Sequence, residues 1–453
     1  MSIQVSSNPE TIAPNPASSA MLDGYLFSLV SRLPALNLTT LDVDIAALVQ
    51  GLREHALLRL QELQTPTTRD EEWRFTDLSS LVQVEFQAAD RTPPIDRTQL
   101  DPFLFPEAAQ SRLVFVNGVY SPELSNTEAL PEGVMVTNLL SASGQSQGYH
   151  HLGKQPGGDE VFAVLNTAGL ADAALVLISA NQTIAPPIHL LFVTVSGTTS
   201  ALNQPRCLVV AGTGSSATLI EEYVGIGQGA DFINAVTEIW VEPNARVHHS
   251  RVQRESTSAF HIGRTAVSQG RDSHYTCNAV SLGARLSRHN LEVMQTGEQT
   301  ETILNGLTLI GGEQVADTHS AIVYTKPHGR SRQLHKCIVD DRAHGVFNGK
   351  VFVSKAAQLT DAGQINRNLL LSPKARIDTK PQLEIIADNV KCSHGATVSQ
   401  LDEEEVFYLQ SRGLDQATSQ KLLIYGFAIE VINQIPVPSL QNTLSQVIKE
   451  RAF

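Results

Sequence analysis

The residues best equipped for chemistry are Lys391-Cys392-Ser393-His394-Gly395. In an extended chain positions i and i+2 point to the same side, about 7 Å apart, so Cys392 and His394 share a face. A thiolate and an imidazole are both good ligands for iron, zinc or an iron–sulfur cluster. Two ligands do not complete a site, so a metal role needs further groups, from elsewhere in the chain or from another chain. The same pattern also describes a half-buried cysteine beside a surface histidine at a domain junction. The residues alone leave both readings open.

His335-Lys336-Cys337 repeats the spacing in reverse order, with flanks that alternate less cleanly, and is the weaker candidate. Cys207 and Cys277 lie within β-type runs and read as core residues. His248, His249, His261, His274 and His289 fit no standard metal signature and are expected at corners or on the surface. Gly345 to Lys350 resembles part of a phosphate loop, but Val351 stands where the Mg²⁺-binding hydroxyl belongs. A Gly-x-Ser-x-Gly elbow and a His-Glu-x-x-His helix are missing. No catalytic residue set is therefore expected, and no ATP bound by this chain.

The elements that must position Cys392 and His394 follow from periodicity. From about residue 160 to 395 short β-type runs succeed one another: CLVV, ATLIEEYV, AVTEIWV, LTLI, AIVY, VFV and LEIIA. Corners such as EPNA, GGEQ, PHGR and SPKA separate them. Ala217, Ala245, Ala284, Ala316, Ala343 and Ala375 each open a similar strand after a corner, a recurrence of about thirty residues. Residues 357–365 also align with 375–383 at an offset of 18. Stacked short strands with a near-constant repeat predict a β-solenoid, because a single coil cannot bury its own apolar face. A β-sandwich would need only seven to nine strands, and the stretch has room for more.

Helices are expected on both sides of this core. Residues 39–63 carry Ile45, Leu48, Val49, Leu52, Ala56, Leu60 and Leu63 on one stripe, with Thr39 and Asp42 as an imperfect capping box. A short helix is expected over Gly24–Leu33, a strand over 81–87, and a hairpin over 113–120 turning at Asn117-Gly118. After residue 397 Asp402 caps one helix, Gly413 stops it, Asp415 opens a second that ends before Pro436, and Ser439 caps a third. The second helix is apolar on two sides, more than one contact covers, which reads either as packing against the solenoid end or as a partner-docking face. On the docking reading a chain ending near Gln400 keeps its β content and loses the partner.

Composition bounds the function. The 453 residues carry 33 Lys plus Arg against 46 Asp plus Glu, a net charge of −13. That acidity argues against nucleic acid or an anionic membrane as a partner. Aromatics are 6%, too few for sugar or base stacking platforms. Four dispersed cysteines fit a reducing, cytoplasmic setting, not a disulfide framework. Runs such as Ala173–Ile178 and His189–Val195 fall short of the ~18 residues of a membrane helix. Residues 1–20 read as a disordered polar tail, without the basic start and apolar stretch of a signal peptide.

Several long segments together resemble one family. HKCIVDDRAHGVFNGKVFV, INRNLLLSPKARIDTKPQLEI and NVKCSHGATVSQLDEEEVFYLQSRG lie between residues 335 and 413, and EEWRFTDL lies at 71–78. They resemble SufD, a component of the SUF iron–sulfur cluster assembly machinery. The KCSHGAT form followed by EEEVFYLQSRG is closer to SufD than to its paralogue SufB. The chain departs from the family pattern at Asn389 and Ser399, neither of which touches the candidate ligands.

The resemblance implies a mainly β protein with a right-handed parallel β-helix core and N- and C-terminal helical domains. The expected division is a tail over 1–20, a helical domain over 21–95, and a mixed region with the hairpin over 96–160. The β-helix then takes 161–397 and the C-terminal helical domain 398–453. The resemblance further implies a complex with SufB through the β-helix end and with the ABC-type ATPase SufC through the C-terminal helices. It allows a homodimer of the chain alone. A transient iron–sulfur cluster shared with the partner is implied, with the family's functional histidine falling on His394 and its neighbouring cysteine on Cys392. Two other classes compete: a β-helix carbohydrate-active enzyme, and a purely structural paralogue that holds SufB in shape. Scattered carboxylates and few aromatics argue against the enzyme.

Overall fold

The structure, a computed structural model, describes residues 24–33, 36, 42–91, 93–128, 130–142 and 148–451. The expected polar tail over residues 1–20 lies outside the described residues. From Arg206 to Ser399 successive strands fall alternately into two sheets, which earlier strands from Arg112 onward extend, and the whole stacks as a β-solenoid of about eight turns. One sheet runs, from the C-terminal end, Arg376–Ile385, His344–Val353, Val315–Tyr324, Leu286–Gln295, Phe260–Gln269, Phe232–Val241, Arg206–Ala211, Ala174–Ile178 and Val134–Asn138. The other runs Lys391–Ser399, Asp361–Leu370, Arg330–Val339, Glu301–Ile310, His274–Ser281, Arg246–Arg254, Ser216–Ile226, Ile188–Val195, Arg112–Val116 and Val119–Tyr120. Ser216, Arg246, His274, Glu301, Arg330, Asp361 and Lys391 share one register row, in steps of 30, 28, 27, 29, 31 and 30 residues. The thirty-residue period is therefore the coil. The offset of 18 instead relates two consecutive strands, Asp361–Leu370 and Arg376–Ile385, which lie in opposite sheets.

Five turns from the first sheet to the second pass through one non-glycine residue in the left-handed region: Asn244, Asp272, Gln299, His328 and Leu359. Asn, Asp and His adopt that conformation more readily than Gln and Leu, so glycine does not mark every corner. The hairpin forms as expected: Arg112–Val116 pairs antiparallel with Val119–Tyr120, and Asn117 and Gly118 both have positive φ. Residues 81–87 do not form the expected strand. Ser79–Val82 is a helical turn, and only Gln87–Ala88 pairs with the sheet, because Leu81 and Phe86 are drawn into the apolar layer between the N-terminal helices and the solenoid.

That N-terminal layer consists of helices Tyr25–Ser31, Val43–Glu62 and Val161–Ala168. Asp42 caps the long helix by accepting from the Asp44 N–H, while Thr39 lies outside the described residues. The segment after it is clipped to the solenoid through Trp73, whose ring lies 3.9 Å from the Arg288 guanidinium carbon. Arg288 also donates to the Glu72 carbonyl and pairs with buried Asp317.

At the other end lie helices Glu403–Ser411, Gln416–Ile432 and Pro438–Arg451. Asp402 and Asp415 cap the first two as their sequence positions suggest. Ser439 does not cap the third. Its N–H and hydroxyl both donate to Glu107, a cap from 332 residues away. Ile424, Ala428, Val431 and Ile432 bury against Ile220, Val252, Val280, Leu307 and Ile338 on the outer face of the second sheet. Removing residues beyond 400 would therefore expose a large apolar face of the solenoid.

Candidate functional site

The two sheets end on Arg376–Ile385 and Lys391–Ser399, and no further strand follows either. The solenoid is open at this end: every residue of Lys391–Ser399 except Cys392 is exposed. Pro381 sits in the middle of the other terminal strand, where a missing N–H is tolerated at a sheet edge. An uncapped pair of edges is a template for pairing with another chain. Ile385, Ile386 and Val398 add exposed apolar side chains around it.

Strand alternation decides where the candidate ligands point. Cys392 packs against the lumen core that also holds Tyr324 and Val353. His394, two residues on, pairs in register with buried Gln364 and stands on the same inward side, at the mouth of the lumen. The expected shared face is thus the lumen face of the last coil. Burial pushes the Cys392 thiol above its ordinary range, and the Asp361 carboxylate adds to this, so the thiol form is favoured in the free chain. Asp361 is itself held low by the Arg332 guanidinium, 3.0 Å away. A groove of about 530 Å³ beside this strand is lined by Leu334, Ile365, Arg367 and Glu430 and also reaches Gln364 and Cys392. No group of three or more His, Cys, Asp or Glu able to hold a metal occurs among the described residues.

The weaker pair separates from this end. His335 is buried and stacks on Phe347 at 4.7 Å, and burial pushes its pKa down to about 3. Cys337 is buried with Val339 and Ala343, and burial pushes its thiol up to about 12. Both are held neutral in the interior. Cys207 and Cys277 are buried as expected. The Gly345–Lys350 stretch lies inside a strand rather than in a loop before a helix, so it builds no phosphate cradle.

The histidines hold the main surprise. His248 is exposed and His274 half-buried, but His249, His261 and His289 are buried in the lumen, not at corners. His249 lies 2.7 Å from Glu221 and 3.0 Å from the Tyr275 hydroxyl. Burial alone would raise Glu221 and lower His249. The Glu221–His249 bond, with Arg251 on one side and Cys277 on the other, outweighs it, holding Glu221 at about 2 and His249 at about 9. His261 accepts from Arg251 and lies 2.6 Å from Glu255, which fixes it as a neutral ring protonated on Nδ1. Glycine makes the room: a Cβ at Gly263 would meet Arg251 and His261 below 3 Å, and one at Gly306 would meet His335 at 2.0 Å. Sequence reasoning missed this polar lumen. The available signal was glycine in mid-strand opposite long polar side chains.

Fold and site together define a two-sheet β-solenoid between helical layers, with a cysteine–histidine pair at its open end. The chain matches the family description "SUF system FeS cluster assembly, SufBD core domain" over residues 192–427 and "SufBD protein N-terminal region" over 33–190. It is 50% identical over 411 residues to an iron–sulfur cluster assembly SufBD family protein of Synechocystis, covering 88% of this chain and 90% of the relative. It is 34% identical over 423 residues to protein ABCI7, chloroplastic, of Arabidopsis thaliana, covering 88% and 86%. It is 33% identical over 399 residues to iron–sulfur cluster assembly protein SufD of Escherichia coli, covering 87% and 91%. The chain belongs to the SufD family of the SUF iron–sulfur cluster assembly system. No helix among the described residues is long and apolar enough to cross a membrane.

Proposed function

We propose that this protein is a non-catalytic scaffold subunit that closes its open solenoid end against a SufB-type paralogue. There the nascent iron–sulfur cluster assembles, partly on His394 and Cys392, before passing to apo-proteins. The observation that carries this reading is the placement of both residues on the lumen side of an uncapped terminal coil. The donors of this chain are too few to complete a site, so the remainder comes from the partner. A shared site suits a scaffold, since ligands on separate chains part when the interface shifts. The raised Cys392 thiol makes His394 the primary donor and Cys392 the secondary one.

ATP enters through a separate SufC-type ATPase on the C-terminal helices. Their inner sides are buried on the solenoid, and Phe407 (71% exposed), Tyr408 and Leu422 remain outward as the docking face. The working compartment is a reducing one, cytoplasmic for a bacterial chain, in keeping with four free cysteines. Iron and acid-labile sulfide per complex, after co-expression of the whole system, test the ligand assignment. His394→Ala should lower both sharply while the complex still forms, and Cys392→Ser should lower them less. Normal content in His394→Ala leaves a purely structural subunit, and a larger loss for Cys392→Ser inverts the two roles.

A further inference from the structure

Gln364 lies one strand inward from His394, in direct register with it, on the lumen side. Neighbouring strands are about 4.8 Å apart, so the two side chains stand next to each other in one stacked row. Gln364 is only 1% exposed. Its Nε2 donates to Gln333 Oε1 at 2.8 Å, and Gln333 Nε2 donates onward to the Ser320 hydroxyl at 2.7 Å. This amide chain therefore has a direction. It leaves Gln364 Oε1 buried without a donor.

The room for this amide is built in. A Cβ on Gly349, in the facing sheet, would come 1.8 Å from Gln364 Nε2, so the side chain reaches across the lumen over a residue that has none. A buried carbonyl without a donor costs about 1–3 kcal/mol, so a donor brought within its reach is favoured. The nearest ring in its row is that of His394, exposed and without a hydrogen bond among the described residues.

We propose that Gln364 is the positioning residue for His394: its side-chain carbonyl accepts one imidazole N–H when a partner covers the mouth of the solenoid. Covering the mouth removes water from the ring and leaves the buried acceptor facing a ring donor one strand spacing away. Pairing them satisfies both. It also fixes which ring nitrogen carries the proton and turns the other, with its lone pair, toward the interface. Metal-ligating histidines are commonly oriented by such an acceptor on the second nitrogen. This inference rests on the ligand role proposed for His394, and its test separates the two.

Two readouts on the co-expressed complex are needed. The first is iron and acid-labile sulfide per complex. The second is the pair of imidazole ¹⁵N shifts of His394 in ¹⁵N-histidine-labelled chain, assigned by their loss in His394→Ala. Gln364→Met keeps volume and removes the acceptor. It should mix the ring tautomers and lower cluster content roughly tenfold. Gln364→Glu should restore a single tautomer and most of the content, because Gln333 can turn its amide to donate to the new carboxylate while the Ser320 hydroxyl reverses. Gly349→Ala, which displaces the Gln364 amide without altering it, should reproduce the Met result and serves if Gln364→Met folds poorly. An unchanged single tautomer in both Gln364→Met and Gly349→Ala overturns the proposal, as does equal loss in Gln364→Glu and Gln364→Met. Full cluster content in His394→Ala overturns only the ligand role, and the tautomer readout still decides Gln364.

Discussion

At the scale of single residues, the charged pair inside the solenoid sets a measurable cost. Glu221 and His249 are both buried and 2.7 Å apart, and Glu221 also accepts from the Thr237 hydroxyl at 2.7 Å. Removing one partner of such a pair leaves the other charge uncompensated. Glu221→Gln should therefore destabilise the protein by about 3 kcal/mol. The sign with pH follows from the directions. His249 is raised to about 9, so its contribution is complete below about 6.5 and lost as pH rises through 9. Glu221→Gln should lower the unfolding midpoint at pH 6.5 and remove part of its decline between pH 6.5 and 9. An alkaline limb identical to that of the unaltered protein would show that this pair does not govern it. None of this was legible in the sequence. His249 reads as one histidine among five, because period-2 alternation says that His249, Arg251 and Gln253 share a face but not whether that face is the lumen.

At the scale of elements, the sequence was informative wherever the signal is local. Thirty-residue recurrence gave the coils, Asn117-Gly118 gave the hairpin, and Asp402, Asp415 and Gly413 gave the helix ends, since each acts within a few residues of itself. Long-range partners were invisible. Glu107 caps the last helix, and Lys336, buried beneath the second helix, reaches the Phe427 carbonyl at 2.8 Å and the Glu430 carboxylate. These contacts bind the C-terminal helices into the core, which separates two kinds of alteration. A chain ending at Gln400 should form soluble aggregates on size exclusion and bind a hydrophobic dye, because it exposes Ile220, Val252, Leu307 and Ile338. Phe407→Asp combined with Leu422→Asp alters only outward positions, and surface changes of this kind cost about 0.5 kcal/mol or less. That double variant should melt within a few degrees of the unaltered protein and lose the ATPase from the co-purified complex. Retention of the ATPase would move the docking face elsewhere on the chain.

At the scale of the whole molecule, the buried titratable groups act together on acid stability. His189, His261, His289 and His335 all have lowered pKa values, with burial the leading cause, and His335 falls to about 3. Each is neutral when folded and protonates near 6.5 when unfolded. Below that pH the unfolded chain binds more protons, so stability is lost as pH falls. Glu221 and Asp317, both held at about 2 by their cationic partners against burial, lose their contributions over a lower range, from about 4.5 down to 2. Asp172 opposes them: burial raises it to about 6, so it loses stability as pH rises from about 4 to 6. One carboxyl against four histidines leaves the histidines in control. With His249 eroding the alkaline side, the unfolding midpoint should peak near pH 6.5, about the unperturbed pKa of histidine. His335→Gln keeps a polar group beside Thr308, its neighbour at 3.3 Å, and removes one titration. It should flatten the midpoint between pH 6.5 and 4 while leaving the alkaline limb unchanged. A scan of midpoint against pH decides it, and an acid limb of unaltered slope in His335→Gln would mean that the lumen histidines do not set acid stability.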